Sequence, residues 1–148
     1  MIDPDRKPIP TREFYMKLLE SPDLKVFFEI HAGEMEIPPF HKFISEICAR
    51  SGQVPEQVIK RSAIERTYGH QLFNGTRKPS RDKVLQLAFG LGLDLESTQK
   101  LLLVARKNAL YPKLKRDAAI MLCLEKGKDI LEVQALLQSL GLSLLGER

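Results

Sequence analysis

From residue 40 onward the apolar side chains recur with a helical period. Phe40, Phe43, Ile44, Ile47 and Cys48 fall at i, i+3, i+4, i+7 and i+8, and Gly52 stands where a C-terminal cap belongs. That spacing predicts an amphipathic helix. Pro55 then opens a short helix to Arg61 with Val58 and Ile59 inward, and residues 62–64 form a turn. A helix over 65–74 follows. At roughly 100° per residue it places Tyr68, Leu72 and Phe73 on one side and Arg66, Thr67, His70, Gln71 and Asn74 on the other. Gly75 stops it.

Further along, Ser80 caps a helix through Leu91 that Gly92 closes, and Asp94 caps another that runs to about Lys107. Tyr111-Pro112 breaks the chain. A helix over 114–126 then ends at Gly127, and Asp129 with Glu132 three residues later forms a capping box for the last helix, which stops near Gly141. Upstream, Thr11 is an expected N-cap for a helix carrying Phe14, Leu18 and Leu19. Ser21-Pro22-Asp23 starts a second one, with Leu24, Phe27 and Phe28 inside and Gly33 at its end. Residues 34–39, with two consecutive prolines, connect this pair to the rest. No segment alternates as a strand does, so the chain is expected to be all-α with about eight helices.

The pattern repeats itself at an offset of 35 residues, residues 81–110 lying over 116–145 without a gap. Nine positions are identical, among them Arg81 and Arg116, Asp82 and Asp117, Gly92 and Gly127, Asp94 and Asp129, and Gln99 and Gln134. Caps and stops fall in register, which predicts a structurally repeated helical hairpin. Arg116 and Asp117 have no polar-faced helix in front of them, so the Arg-Asp pair is expected to serve the start of its helix. That weakens Arg81 as a phosphate contact; Arg77 and Lys78, whose counterparts are Pro112 and Lys113, are less affected.

A chain of 148 residues with 43% hydrophobic content can bury one sizeable core, or a small domain with an appended helical unit. The organisation expected is an arm at 1–10, a helical pair at 11–38, a domain at 39–110 and a hairpin at 111–148. No apolar run reaches the roughly 20 residues a membrane span needs, and the first thirty residues lack a signal core, so a cytoplasmic protein is expected. Cys48 and Cys123 lie far apart in apolar patterns with no metal-ligand spacing and are expected to be buried thiols.

Charge is uneven along the chain. Residues 1–38 carry 5 basic and 8 acidic side chains, 39–94 carry 9 and 5, and 95–148 carry 9 and 6. The positive excess begins where the polar-faced helix lies, and it is modest. Catalytic chemistry finds no support. There is no Gly-rich loop followed by Lys and Ser or Thr, no H-E-x-x-H, and His31, His41 and His70 are dispersed; Asp117 and Glu125 read as a solvated charge pair. No enzyme activity, metal or cofactor is expected.

The polar face of 65–74 carries only side chains able to donate to or accept from base edges and phosphate oxygens, with no acid among them. The stretch VIKRSAIERTYGHQLFNGTRKPSRDKVLQLAFGLGLD resembles the phage-repressor or Xre/Cro type of helix-turn-helix. Leu72 to Gly75 match the L-x-N-G that ends the family's recognition helix, Arg77 to Arg81 its basic, proline-bearing loop, and Leu87, Ala88 and Leu91 its L-A-x-x-L core motif. About 55 of the 148 residues are covered. Gly69, Phe73 and Pro55 depart from the pattern: the family usually has an apolar side chain, an acid and a phosphate-binding Gln there.

The resemblance implies a lambda-repressor-like core and a sequence-specific regulator of double-stranded DNA. Arg66, Thr67, His70 and Gln71 would face bases in the major groove. Asn74, Thr76, Arg77, Lys78 and Arg81 would meet phosphates, with Gln53 or Gln57 standing in for the missing family Gln. A homodimer through the repeated hairpin stays open, as does a second reading from another class. In that reading the same scaffold binds a protein through its N-terminal or C-terminal helices, without DNA.

Overall fold

Side-chain oxygens of Asp23, Glu65, Ser80, Asp94 and Asp129 cap the starts of five helices in this protein, and left-handed glycines such as Gly75 and Gly92 close others. The computed structural model describes residues 10–146, and the arm expected at 1–10 lies outside them apart from Pro10. Among the described residues the regular elements are ten helices, so the chain is all-α with more helices than the eight expected. It forms two compact units, Met1–Pro38 and Pro39–Arg148.

The first unit holds α1 (Thr11–Glu20), α2 (Leu24–Ile30) and the four-residue α3 (Ala32–Met35). Asp23 caps α2 as expected, its Oδ1 accepting the Lys25 N–H at 3.0 Å and the Val26 N–H at 3.5 Å. Two expectations are corrected. Thr11 is the first helical residue and not a cap, because the helix starts behind Pro10 with no side-chain bond. Gly33 does not end α2, which stops at Ile30, and lies inside α3. Between them His31 leaves helical geometry, with its ring packed on Phe27 and Phe14 at centroid distances of 4.4 and 5.2 Å.

The second unit contains α4 (Phe40–Arg50), α5 (Pro55–Arg61), α6 (Arg66–Asn74), α7 (Arg81–Leu91), α8 (Leu95–Val104), α9 (Lys115–Glu125) and α10 (Ile130–Ser139). Its centre is α7, buried from Val84 to Leu91, a run apolar on every side but for Gln86. On one side Leu87 and Leu91 join Ile44, Val58, Ile59 and Leu72 of α4 to α6. On the other, Leu85 and Phe89 join Leu101 and Leu102 of α8 and Ile120 and Val133 of α9 and α10. The core is therefore continuous across residue 110, and Leu101, Leu102 and Leu145 extend it.

Contact between α7 and α5 is close enough to dictate residue type. A Cβ on Gly90 would stand 1.9 Å from Ser62 Oγ and 2.7 Å from the Val58 carbonyl oxygen. The buried Gln86 donates to the carbonyl oxygens of Ser62 and Ala63, which ties α7 to the turn behind α5. That turn puts Ala63 at φ 57 and closes α5 with the Ala63 N–H on Lys60 O and the Ile64 N–H on Ile59 O.

The 35-residue repeat is realised in three dimensions, and its two copies grip each other. Arg81 of the first copy forks onto Asp117 of the second at 2.9 and 3.1 Å, while Arg116 of the second forks onto Asp82 of the first at 3.0 Å. Each Arg also donates to two carbonyls at the end of its own copy, Arg81 to Asn108 and Ala109, Arg116 to Ser143 and Leu144. Each acid also accepts a backbone N–H, Asp117 from Tyr111 and Asp82 from Gly146. Contacts exchanged in this way are those of a two-fold interface, here within one chain. Gln99 clamps Leu110 through its N–H and C=O, and Gln134 clamps Leu145 likewise, at 2.7 to 2.9 Å.

The Arg-Asp pair thus joins the copies instead of serving its own helix start. Asp117 is correspondingly buried, which corrects its reading as a solvated charge.

Candidate nucleic-acid interface

The position of α6 follows from its ends and its inner face. Glu65 is its N-cap and not its first residue: the carboxylate accepts the Tyr68 N–H at 2.8 Å and the Thr67 N–H at 3.0 Å. Those two backbone bonds hold its carboxyl below the ordinary value. Gly75 ends the helix at φ 86, against the His41 ring. Leu72, Phe73 and Gly69 are buried, and a Cβ on Gly69 would meet the Ile59 side chain at 2.4 to 2.9 Å. Glycine here allows α6 to lie directly on α5. The departures at Gly69 and Phe73 are therefore packing features.

The opposite face is accessible. Arg66 and Thr67 are exposed, His70 and Gln71 half-buried, and Asn74, Thr76, Arg77 and Lys78 exposed beyond them. Gln71 Oε1 accepts from Arg77 Nε at 3.2 Å, and the Arg77 guanidinium lies 4.3 Å over the Tyr68 ring. Lys83 approaches the same ring at 5.4 Å. Tyr68 packs partly against the core, as expected of an inward residue, and also offers its ring to two cations. Asn74 turns its Oδ1 back to the Thr76 N–H at 2.8 Å and shapes the loop.

Two of the residues expected at phosphates are engaged inside the protein. Arg81 spends its guanidinium on Asp117, Asn108 and Ala109. Gln53 donates to Ser51 Oγ and the Leu91 carbonyl and accepts from Arg61. Neither guanidinium nor amide is therefore free for a phosphate, whereas Gln57 is exposed on α5.

One charged side chain of this face escaped sequence reasoning. Glu56 of α5 places Oε1 2.6 Å from Arg66 Nε and Oε2 2.5 Å from His70 Nε2. Its hydrogen bonds with Arg66, then with His70, hold the carboxyl below its ordinary value. An acid therefore stands on the polar face, brought there from ten residues upstream by the turn between α5 and α6. No local pattern in the sequence announces it.

Elsewhere the chemistry is sparse. Burial pushes the Cys48 and Cys123 thiols up, and both cysteines are free. Among the described residues no group of three His, Cys, Asp or Glu could hold a metal ion, and no helix is long and apolar enough to cross a membrane. Compared with protein-family models, with curated proteins and with solved structures, the chain matches none of them.

Proposed function

We propose that α5, the turn at 62–65 and α6 form a helix-turn-helix of the phage-repressor type within a lambda-repressor-like core, and that the chain is a sequence-specific, double-stranded DNA-binding regulator. In this reading α6 enters the major groove with Arg66, Thr67 and Gln71 towards base edges, while Thr76, Arg77, Lys78 and Gln57 meet phosphates. One observation carries it. α6 is anchored along Gly69, Leu72 and Phe73, leaves Arg66 and Thr67 exposed on the far side, and runs into an exposed loop with two cations.

The test is retention of fragments from a genomic pool over competitor DNA at physiological salt. Wild type should enrich a defined set, and Arg66→Ala with Gln71→Ala should lose it. For a selected duplex, Lys78→Ala should lower the slope of log K against log salt by about one unit, the signature of one phosphate contact. If wild type retains no fragment, or the double variant enriches the same ones equally, DNA reading is wrong.

A second reading, docking of a protein partner on the N-terminal helices, has one observation in its favour. Leu19, Leu24, Phe28 and Ile30 of α1 and α2 are exposed in the first unit. It gains ground only in the first of those two negative outcomes.

A further inference from the structure

Glu56 lies outside the expected contact set, yet it touches two members of the polar face at once. Its carboxylate bridges side chains at i and i+4 of α6, taking Arg66 through Nε and His70 through Nε2. The Arg66, His70 and Glu56 side chains are 74%, 40% and 44% exposed, so the bridge is solvated and adds little to folding stability. What it does is geometric. A carboxylate on Nε restrains the rotation of the guanidinium plane and leaves the two terminal amino groups outside that bond. Two parallel N–H groups in a set plane are what the O6 and N7 atoms of guanine require. His70, on the other carboxylate oxygen, holds Glu56 in turn.

Resting on the reading of α6 as a DNA-contacting helix, we propose that Glu56 is a positioning residue for Arg66 and thereby a determinant of specificity for guanine. Its negative charge has a second consequence. A carboxylate near the phosphate backbone lowers affinity for every duplex alike, so the cost of Glu56 is offset only where Arg66 finds a guanine. His70 belongs to this support and leaves base reading to Arg66, Thr67 and Gln71.

The experiment uses the full chain as wild type, Arg66→Ala, Glu56→Ala and Glu56→Gln. Duplexes are selected from a random pool with wild type, and affinity is measured for the selected duplex, for single-base variants and for a scrambled duplex. The guanine assigned to Arg66 is the position at which Arg66→Ala loses discrimination. Wild type should prefer guanine there by tenfold or more. Glu56→Ala should lose most of that preference while binding the scrambled duplex several-fold more tightly. Glu56→Gln, which keeps an acceptor for Nε without the charge, should retain part of the preference and show the same gain on scrambled DNA.

Thermal unfolding of both Glu56 variants should match wild type, since the bridge is solvated. The proposal is overturned if Glu56→Ala keeps the wild-type preference, or if affinity for selected and scrambled duplexes rises equally, which would make Glu56 a plain antagonist. It is also overturned if Arg66→Ala costs no discrimination. In those cases the DNA reading survives; if wild type selects no sequence at all, both fall together.

Discussion

The hairpins 81–110 and 116–145 begin, turn and end alike, but they stand in different surroundings. Leu87 and Leu122 are equivalent, yet the first is 0% exposed and the second 51%. In front of α7 stand α4, α5 and α6; in front of α9 stands solvent. Gly90, pressed on Ser62, has the exposed Glu125 as its counterpart, and the buried Pro79 has the exposed Leu114. The residues that join the copies are identical, Arg81 with Arg116 and Asp82 with Asp117, and so are Gln99 and Gln134, which each clamp the end of their own copy. The comparison separates two jobs on one helix. The Arg-Asp pair shared with α9 holds the hairpins together, whereas the side of α7 that carries Leu87 and Gly90, covered here and open on α9, holds the candidate recognition unit in place.

Substitutions at equivalent positions can break that separation. The largest contrast expected is between Leu87→Ala and Leu122→Ala. The first leaves a cavity under α5 and α6 and should cost about 2–5 kcal/mol in urea unfolding, while the second should stay within about 0.5 kcal/mol. Equal losses would mean that α9 is covered in solution.

Next comes the joint itself. Asp117→Ala strands Arg81 and the Tyr111 N–H at a site where the Asp117 side chain is only 4% exposed, and should cost about 2–3 kcal/mol. Asp82→Ala, at the more open end, should cost less. The Asp82 carboxyl has a pH signature. Burial alone would raise it, but the Arg116 bond, the Gly146 N–H and the two arginine charges together outweigh burial and hold it below its ordinary value. A carboxyl depressed by folding stabilises fully above the unfolded value near pH 4, and the contribution is lost as pH falls through the folded value. Urea midpoints measured from pH 6 down to pH 3 should fall less steeply in Asp82→Asn than in wild type.

Gly90→Ala against Glu125→Ala sharpens the same contrast from the opposite side. Added volume against Ser62 and the Val58 carbonyl should cost about 2 kcal/mol, and the exposed equivalent should cost little. The smallest expected effect concerns the C-terminal caps of α8 and α10, where Arg106 at φ 59 occupies the position of Gly141 at φ 70. Arg106→Gly should raise stability by about 1 kcal/mol and Gly141→Ala lower it by a similar amount.

Helix existence and most boundaries were legible in the chain because caps and apolar periods are local. Asp23, Ser80, Asp94 and Asp129 bond to N–H groups two or three residues away, and Gly52, Gly92 and Gly127 reverse the chain within one turn. Thr11 and Gly33 misled for the complementary reason: a cap-type residue does not act as a cap when Pro10 already starts the helix, or when the His31 ring packs back on Phe27. At the candidate interface the accessible face of α6 followed from periodicity, but which of its side chains were already engaged did not. Arg81 is bound by a residue 36 positions away, Gln53 by the carbonyl of Leu91, and Arg66 by Glu56 across a turn.

The repeat marks the limit between the two kinds of information. Sequence alone determined that two similar hairpins exist, that they share caps and stops, and that a helix with one polar face precedes the first, because each of these depends on spacing within a few turns. Only the tertiary structure decided that the copies exchange their Arg-Asp pairs, that Gly69 and Gly90 are contact glycines, and that an acid sits against Arg66. Such facts arise where elements distant in sequence meet, and a pairing across 34 residues leaves no trace in the pattern of either helix taken by itself.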